Sequence, residues 1–176
     1  MVNRLFIGIP IAFEAAMALE ATLPRLPGRP VSPGNLHLTV RFLGDVDEVT
    51  RDRLEAALDE SDLGGPFDIV LGEMGAFPRP AKASVLWIGL LAGRPQLMRL
   101  NAVVEEACED AGIEPEERPY APHLTISRIR PEVDVRPLLL SYRPEPIKWK
   151  ATEMFLYESR VSRQGAIYNP LERFPL

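Results

Sequence analysis

The sequence predicts an α+β fold with mainly antiparallel strands, and three observations lead there. Short apolar segments with period-two alternation recur along the chain, helical stripes are few, and the two do not alternate regularly enough for a doubly wound parallel sheet. At 176 residues the chain is read as one unit, spanning 1–176 and long enough to bury a sizeable core.

Taken in order, Arg4 to Ile9 reads as a strand, and Pro10 suits the first turn of a helix. The stripe of that helix is Phe13, Ala16, Met17 and Ala21, and it must stop before Pro24. Pro24, Pro27, Pro30 and Pro33 follow at a spacing of three. A polyproline ligand has that spacing, but a stiff connecting loop explains it without a partner. Leu36 to Leu43 alternates and reads as a strand; Asp47 can cap a helix to about Leu58, and Gly64-Gly65-Pro66 breaks the chain. Phe67 to Leu71 and Val85 to Leu90 are further strands, with Phe77-Pro78-Arg79-Pro80 in the loop between them. Pro95 opens the clearest helix, with Leu97, Leu100, Val103, Val104, Ala107 and Ala111 on one face and Gly112 past its end. Cys108 falls beside that stripe and reads as a packed thiol. Tyr120-Ala121-Pro122 leads into a strand from His123 to about Ser127. Segments around Val133 to Leu140, Ile147 to Lys150, Glu153 to Ser159 and Ala166 to Phe174 complete a strand-rich pattern.

Composition narrows the function. Hydrophobic residues at 46% and charged residues at 26% are the balance of a soluble globular protein. No apolar run reaches the ~20 residues of a membrane span, the N-terminus is too short in apolar residues for a signal peptide, and one cysteine makes no internal disulfide. A cytoplasmic location is expected. The net charge of −5 argues against a protein that coats nucleic acid through a broad basic surface, but not against a pocket that grips one or two phosphates. The basic residues are mostly arginine, which suits bidentate phosphate recognition; biased coding composition gives the same ratio.

The informative fact is the placement of histidine. There are two, and both open the same tripeptide, His37-Leu38-Thr39 and His123-Leu124-Thr125, followed by β-branched Val40 and Ile126. Chance placement of Leu-Thr after both is on the order of one in 10⁵ before allowance for searching many patterns. The repetition points to two related halves, each lending a strand to one site. On a regular strand His37, Thr39 and Arg41 share a face, opposite Leu36, Leu38, Val40 and Phe42; His123, Thr125 and Ser127 likewise lie opposite Leu124 and Ile126. Each strand thus anchors by an apolar face and presents an imidazole beside a hydroxyl. One neutral imidazole accepts a proton while the other, cationic, donates one, which is what displacement at phosphorus requires. Thr39 and Thr125 are placed to donate to the non-bridging oxygens. Two histidines and one cysteine, with no acidic residue on the same face within either motif, make no convincing metal set, so neither metal nor cofactor is expected. A serine or cysteine nucleophile would leave the second histidine unexplained.

With these motifs the chain resembles the 2H phosphoesterases, specifically the bacterial and archaeal RNA 2',3'-cyclic phosphodiesterases once called 2'-5' RNA ligases. The family's two His-x-Thr-x motifs are matched by His37-Leu38-Thr39-Val40 and His123-Leu124-Thr125-Ile126. Flanking matches are Asn35-Leu36, Phe42-Leu43-Gly44, Pro122, Phe77-Pro78, Val85-Leu86-Trp87-Ile88-Gly89 and the ending from Ser159 to Leu176. The resemblance implies a two-lobed α+β fold, with helices packed outside the sheets and pseudo-twofold symmetry around a central cleft. It also implies metal-independent hydrolysis of a 2',3'-cyclic phosphate RNA end to a 2'-phosphomonoester, with His37 as proton donor and His123 as proton acceptor. Arg128, five positions after the second histidine, resembles the family's phosphate-binding arginine. Strict alternation puts it on the face away from His123, so that role requires a twist, a bulge or the strand's end near Ser127. Arg41 shares the His37 face and is a second phosphate-binding candidate, while Tyr120 can stack on a nucleobase or pack in the core. Val31 stands where many relatives carry an aromatic residue. The partners implied are RNA ends or short oligonucleotides, with no membrane, and the acidic balance suggests a monomer. Two rivals remain: a ligase running the reverse reaction, which needs the same residues, and a module that binds RNA ends without turnover, which has no need of a matched acid and base.

Overall fold

The computed structural model of the chain describes residues 2–176, and among them nine strands form one antiparallel sheet. The strands are β1 (Val2–Pro10), β2 (Arg29–Pro30), β3 (His37–Asp47), β4 (Phe67–Arg79), β5 (Lys82–Ala92), β6 (Leu124–Val133), β7 (Lys148–Ala151), β8 (Glu153–Ser162) and β9 (Gly165–Pro175). The helices are α1 (Phe13–Thr22), α2 (Glu48–Asp59), α3 (Arg94–Ala111) and α4 (Arg136–Ser141), with a 3-10 turn at Pro33–Asn35.

The strand order β7-β4-β5-β6-β3-β1-β8-β9, with β2 on β6, reads as a palindrome about the β6–β3 junction. At that junction Leu38 pairs with Leu124, the same position of each tripeptide. Pairing continues equivalently outward: β3 lies on β1 as β6 lies on β5, and β8 flanks β1 as β4 flanks β5. A pseudo-twofold axis therefore passes through the leucine pair.

One sheet face carries the core. Leu38, Val40, Leu124 and Ile126 are at most 1% exposed and join the same apolar cluster as Leu97, Leu100 and Val104 of α3. Helix α3 packs on α2 and β3, and its chain exits through Gly112, whose φ of 88° is the left-handed conformation a C-terminal glycine supplies. Asp47 caps α2 by accepting from the Thr50 amide at 2.8 Å. Cys108 is buried, and burial pushes its thiol up to about 12. No helix among the described residues is long and apolar enough to cross a membrane.

Several elements depart from the periodicity. Pro10 ends β1 instead of opening a helix, and α1 buries Ala15, Ala16 and Leu19 while Phe13 is 74% exposed and Met17 also faces out. Helix α1 is apolar almost all round, so the stripe of Phe13, Ala16, Met17 and Ala21 does not mark its inner face, of which it shares only Ala16. Phe77, Pro78 and Arg79 belong to β4, which turns back at Pro80-Ala81; the pairing shifts register between Phe77 and Pro78, where a residue without an N–H can be accommodated. Residues Arg136–Ser141 form a helix, and β6 runs on to Val133. The proline-rich segment is a connection, part of it paired to β6 as β2.

Candidate active site

Two β-bulges decide what each motif presents. On β3 the partners run Leu38 with Ile9, Thr39 with Gly8, then Arg41 with Ile7 and Phe42 with Phe6, so Val40 is the extra residue. On β6 they run Leu124 with Ile88, Thr125 with Trp87, then Ser127 with Leu86 and Arg128 with Val85, so Ile126 is the extra residue. The bulge falls three positions after each histidine. It reverses the side-chain alternation beyond it, and the carbonyl of each bulged residue takes a partner from outside the ladder. Val40 O accepts from Asn101 Nδ2 of α3 at 2.9 Å, and Ile126 O accepts from the Val31 amide at 2.9 Å.

The reversal turns Arg128 onto the face of His123 and Thr125, where its charge acts on both imidazoles. It also overturns the expectation for Arg41, which turns to the core face. Arg41 is 7% exposed, paired with Glu105, and donates to Glu114 O at 2.7 Å. In its place Phe42, 58% exposed, comes round to the histidine face as the positional counterpart of Arg128. Tyr120 is not free to stack on a base: its ring packs against the core and its hydroxyl donates to Thr39 O at 2.8 Å, tying the approach to the second motif onto the backbone of the first.

Antiparallel pairing at Leu38 and Leu124 sets His37 alongside Thr125 and His123 alongside Thr39 across the junction. Both imidazoles are pinned in the same way. His37 Nδ1 lies 2.7 Å from Asn35 O and His123 Nδ1 lies 2.6 Å from Ala121 O. A carbonyl only accepts, so each Nδ1 carries the hydrogen and each Nε2 is left for chemistry. Aromatic rings surround both. Phe6 lies 4.7 Å from the His37 ring and Tyr168 meets it edge-on at 5.1 Å; Phe77 meets His123 edge-on at 5.1 Å, with Trp87 at 6.2 Å. Gly8 of β1 keeps room for His37, since a Cβ there would lie 3.3 Å from its Cδ2.

Burial is the main force holding both imidazoles below their ordinary value of 6.5. The carbonyl bonds from Asn35 and Ala121 oppose it, and Arg128 adds to it; His37 is lowered further by the charge of His123. Because each proton repels the other, the pair passes through a singly protonated state, the state in which one ring is acid and the other base.

Paired imidazoles at the starts of two pseudo-equivalent strands, with free Nε2 atoms, adjacent hydroxyls and a shared arginine, make this the candidate active site. The chain belongs to the 2'-5' RNA ligase superfamily, whose family model matches residues 15–163. It is 32% identical over 154 residues to the RNA 2',3'-cyclic phosphodiesterase of Aeropyrum pernix, covering 83% of this chain and 85% of that protein. It is 30% identical over 180 residues to the enzyme of that name from Escherichia coli K12, covering 99% and 97%. The crystal structure of E. coli LigT complexed with 3'-AMP superposes with a TM-score of 0.82 at 26% identity, over 100% of this chain and 99% of the other.

The aromatic lining was not read from sequence. Phe77, Trp87 and Tyr168 stand in the sequence only as flanking matches, and Phe6 and Tyr157, whose rings lie 4.7 and 6.4 Å from that of His37, are far from it along the chain. The residue two before each histidine, which fixes the tautomer, is detectable only once the strand entry is known to fold back.

Proposed function

We propose that this chain hydrolyses 2',3'-cyclic phosphate ends of RNA to 2'-phosphomonoesters without a metal ion, as one unit in which both halves build a single site. The observation that carries the reading is the matched pair of Nδ1-anchored imidazoles on pseudo-equivalent strands. In the proposed step, water attacks phosphorus and gives its proton to Nε2 of one histidine. The bond from phosphorus to O3' breaks, and the departing oxygen takes a proton from Nε2–H of the other. Following the family resemblance, His123 is the acceptor and His37 the donor. The cyclic phosphate sits between them, with Thr39 and Thr125 donating to its non-bridging oxygens and Arg128 supplying the opposite charge. Anion binding offsets the Arg128 charge felt by the imidazoles, so substrate raises their proton affinity as it enters. We further propose a cytoplasmic monomer, in keeping with the acidic balance and the lone buried thiol.

Incubation with a 2',3'-cyclic nucleotide and with RNA bearing that end, before and after exhaustive chelation, tests the reading. The expected product is the 2'-phosphate at an unchanged rate after chelation. Absence of turnover, or activity that needs a restored divalent ion, defeats it.

A further inference from the structure

The arginine row at one end of the cleft extends beyond Arg128. In β2, Arg29 is the register partner of Arg128 and Pro30 the partner of Ser127. Paired residues project to the same side, so Arg29 stands beside Arg128 on the histidine face. Neighbouring strands lie about 4.8 Å apart, which sets two long guanidinium side chains next to each other. Both residues are exposed, and no carboxylate among the described residues pairs with either. Like charges directly opposite on a sheet are destabilising, and this chain has 25 acidic residues from which a partner was available.

The segment that carries Arg29 is fastened to β6 at successive points. The fully buried Ser127 hydroxyl donates to Pro27 O at 2.7 Å, the Arg29 and Pro30 pairs follow, and the Val31 amide donates to Ile126 O at 2.9 Å. Gly28, at φ +80°, lets the segment close: a Cβ there would run into Arg128 O and the Ile129 backbone. A strap this tightly held positions Arg29 with little freedom to leave its place. Yet the charges that act on the imidazoles are Arg128 and, for His37, His123, and not Arg29. Arg29 lies one strand further out, on the side of β6 away from β5, and so addresses a different anion from the one between the histidines.

We propose that Arg29, held beside Arg128 by the proline-rich strap, binds a second phosphate of the substrate, the phosphodiester joining the terminal nucleotide to the rest of an RNA strand. This rests on the hydrolase reading above and makes the substrate an oligonucleotide end in preference to a free nucleotide.

The test compares kcat/KM of wild type, Arg29→Ala and Arg29→Lys on three probes: a 2',3'-cyclic mononucleotide, the same with a 5'-phosphate, and a dinucleotide with a 2',3'-cyclic end. Wild type is expected to favour the dinucleotide. Arg29→Ala loses most of that preference, about tenfold, and Arg29→Lys keeps part of it, having charge without the planar fork. Thermal stability of Arg29→Ala holds or rises, because the like-charge pair is relieved. Equal losses on all probes, or none, overturn the proposal, as does dependence on Arg29 confined to the 5'-phosphorylated mononucleotide. Should wild type turn over no probe, the hydrolase reading has failed. The subsite is then judged by equilibrium binding of a 2'-phosphorylated dinucleotide against a 2'-phosphorylated nucleoside. A preference that shrinks in Arg29→Ala supports it, and one that persists sinks it.

Discussion

The half of the sheet around His37 and the half around His123 share a scaffold and differ in what covers it. Each has an imidazole pinned through Nδ1 by the carbonyl two residues earlier, a threonine two positions on, and a bulge one position after that. At the first position beyond the bulge that faces the cleft, one half has Phe42 and the other Arg128. Across from the threonine, one has Gly8 and the other Trp87. The placement of the imidazoles and the polarity of their surroundings are therefore carried by separate features. Backbone features repeated in both halves place two equivalent proton carriers, and a few side chains that differ make one end of the cleft apolar and the other cationic.

The sharpest way to break the equivalence is at the histidines. His37→Ala and His123→Ala are each expected to lower kcat by about 10²–10⁴-fold, with circular dichroism unchanged. A substrate with a better leaving group should rescue the His37 variant selectively, since departure then needs less protonation. Equal rescue, or rescue of the His123 variant alone, reverses or voids the donor and acceptor roles.

Next in size is the contrast between Arg128 and Phe42. Arg128→Ala should reduce kcat/KM by about 10–100-fold, the scale of a lost charge-assisted contact. It should also raise the proton affinity of both imidazoles in the free protein, because the guanidinium lowers both. Phe42→Ala should leave those titrations in place. Proton-resolved NMR titration of the two rings reads both outcomes, and an unmoved pair in Arg128→Ala would show that the arginine does not face the site.

A subtler difference lies between free and bound enzyme. With both imidazoles held below 6.5 by burial and Arg128, the limbs of the kcat/KM profile should lie to the acid side of ordinary imidazole behaviour. The limbs of kcat should sit at higher pH, because bound phosphate favours the protonated rings. Coincident profiles would count against the anion lying between them. The same lowering carries a stability consequence. Above 6.5 these groups leave stability independent of pH, and as pH falls below it stability declines, since the unfolded chain binds protons that the buried rings resist.

The smallest effect concerns the bulges. Asn101→Ala leaves Val40 O without its partner, an expected cost of about 1–2 kcal/mol and a Tm lower by about 2–8 °C. The loss in kcat/KM should stay under about tenfold, because the imidazole anchor at Asn35 is untouched. A Tm equal to wild type would mean the bulge holds without α3.

Local signals were enough for much of this. The alternation around Leu38 and Leu124, the cap at Asp47, the stripe from Leu97 to Ala111 and the repeated His-Leu-Thr are written in neighbouring residues, so the α+β class and the two strands that carry the histidines were legible in the sequence. What failed did so where a neighbour in space overrides the local period. In α1 the stripe of Phe13, Ala16, Met17 and Ala21 names a face that is mostly exposed, because the helix is apolar almost all round and packing selects Ala15, Ala16 and Leu19 instead. Arg136–Ser141 is short enough to pass for strand.

The face on which Arg41, Phe42, Ser127 and Arg128 project was decided by tertiary structure alone. A bulge is a property of two strands in register, and no count along one strand contains it. The extra residues Val40 and Ile126 are tolerated because Asn101 and Val31, 61 positions after and 95 positions before them in the chain, satisfy their carbonyls. Neighbouring residues alone specify the two His-Leu-Thr segments and the strands they open. Packing between distant segments decided that Arg41 would turn inward to Glu105 and that Arg128, with Arg29 beside it, would face the cleft. The physical reason is that side-chain direction follows backbone pairing, and pairing is settled only when the whole sheet has formed.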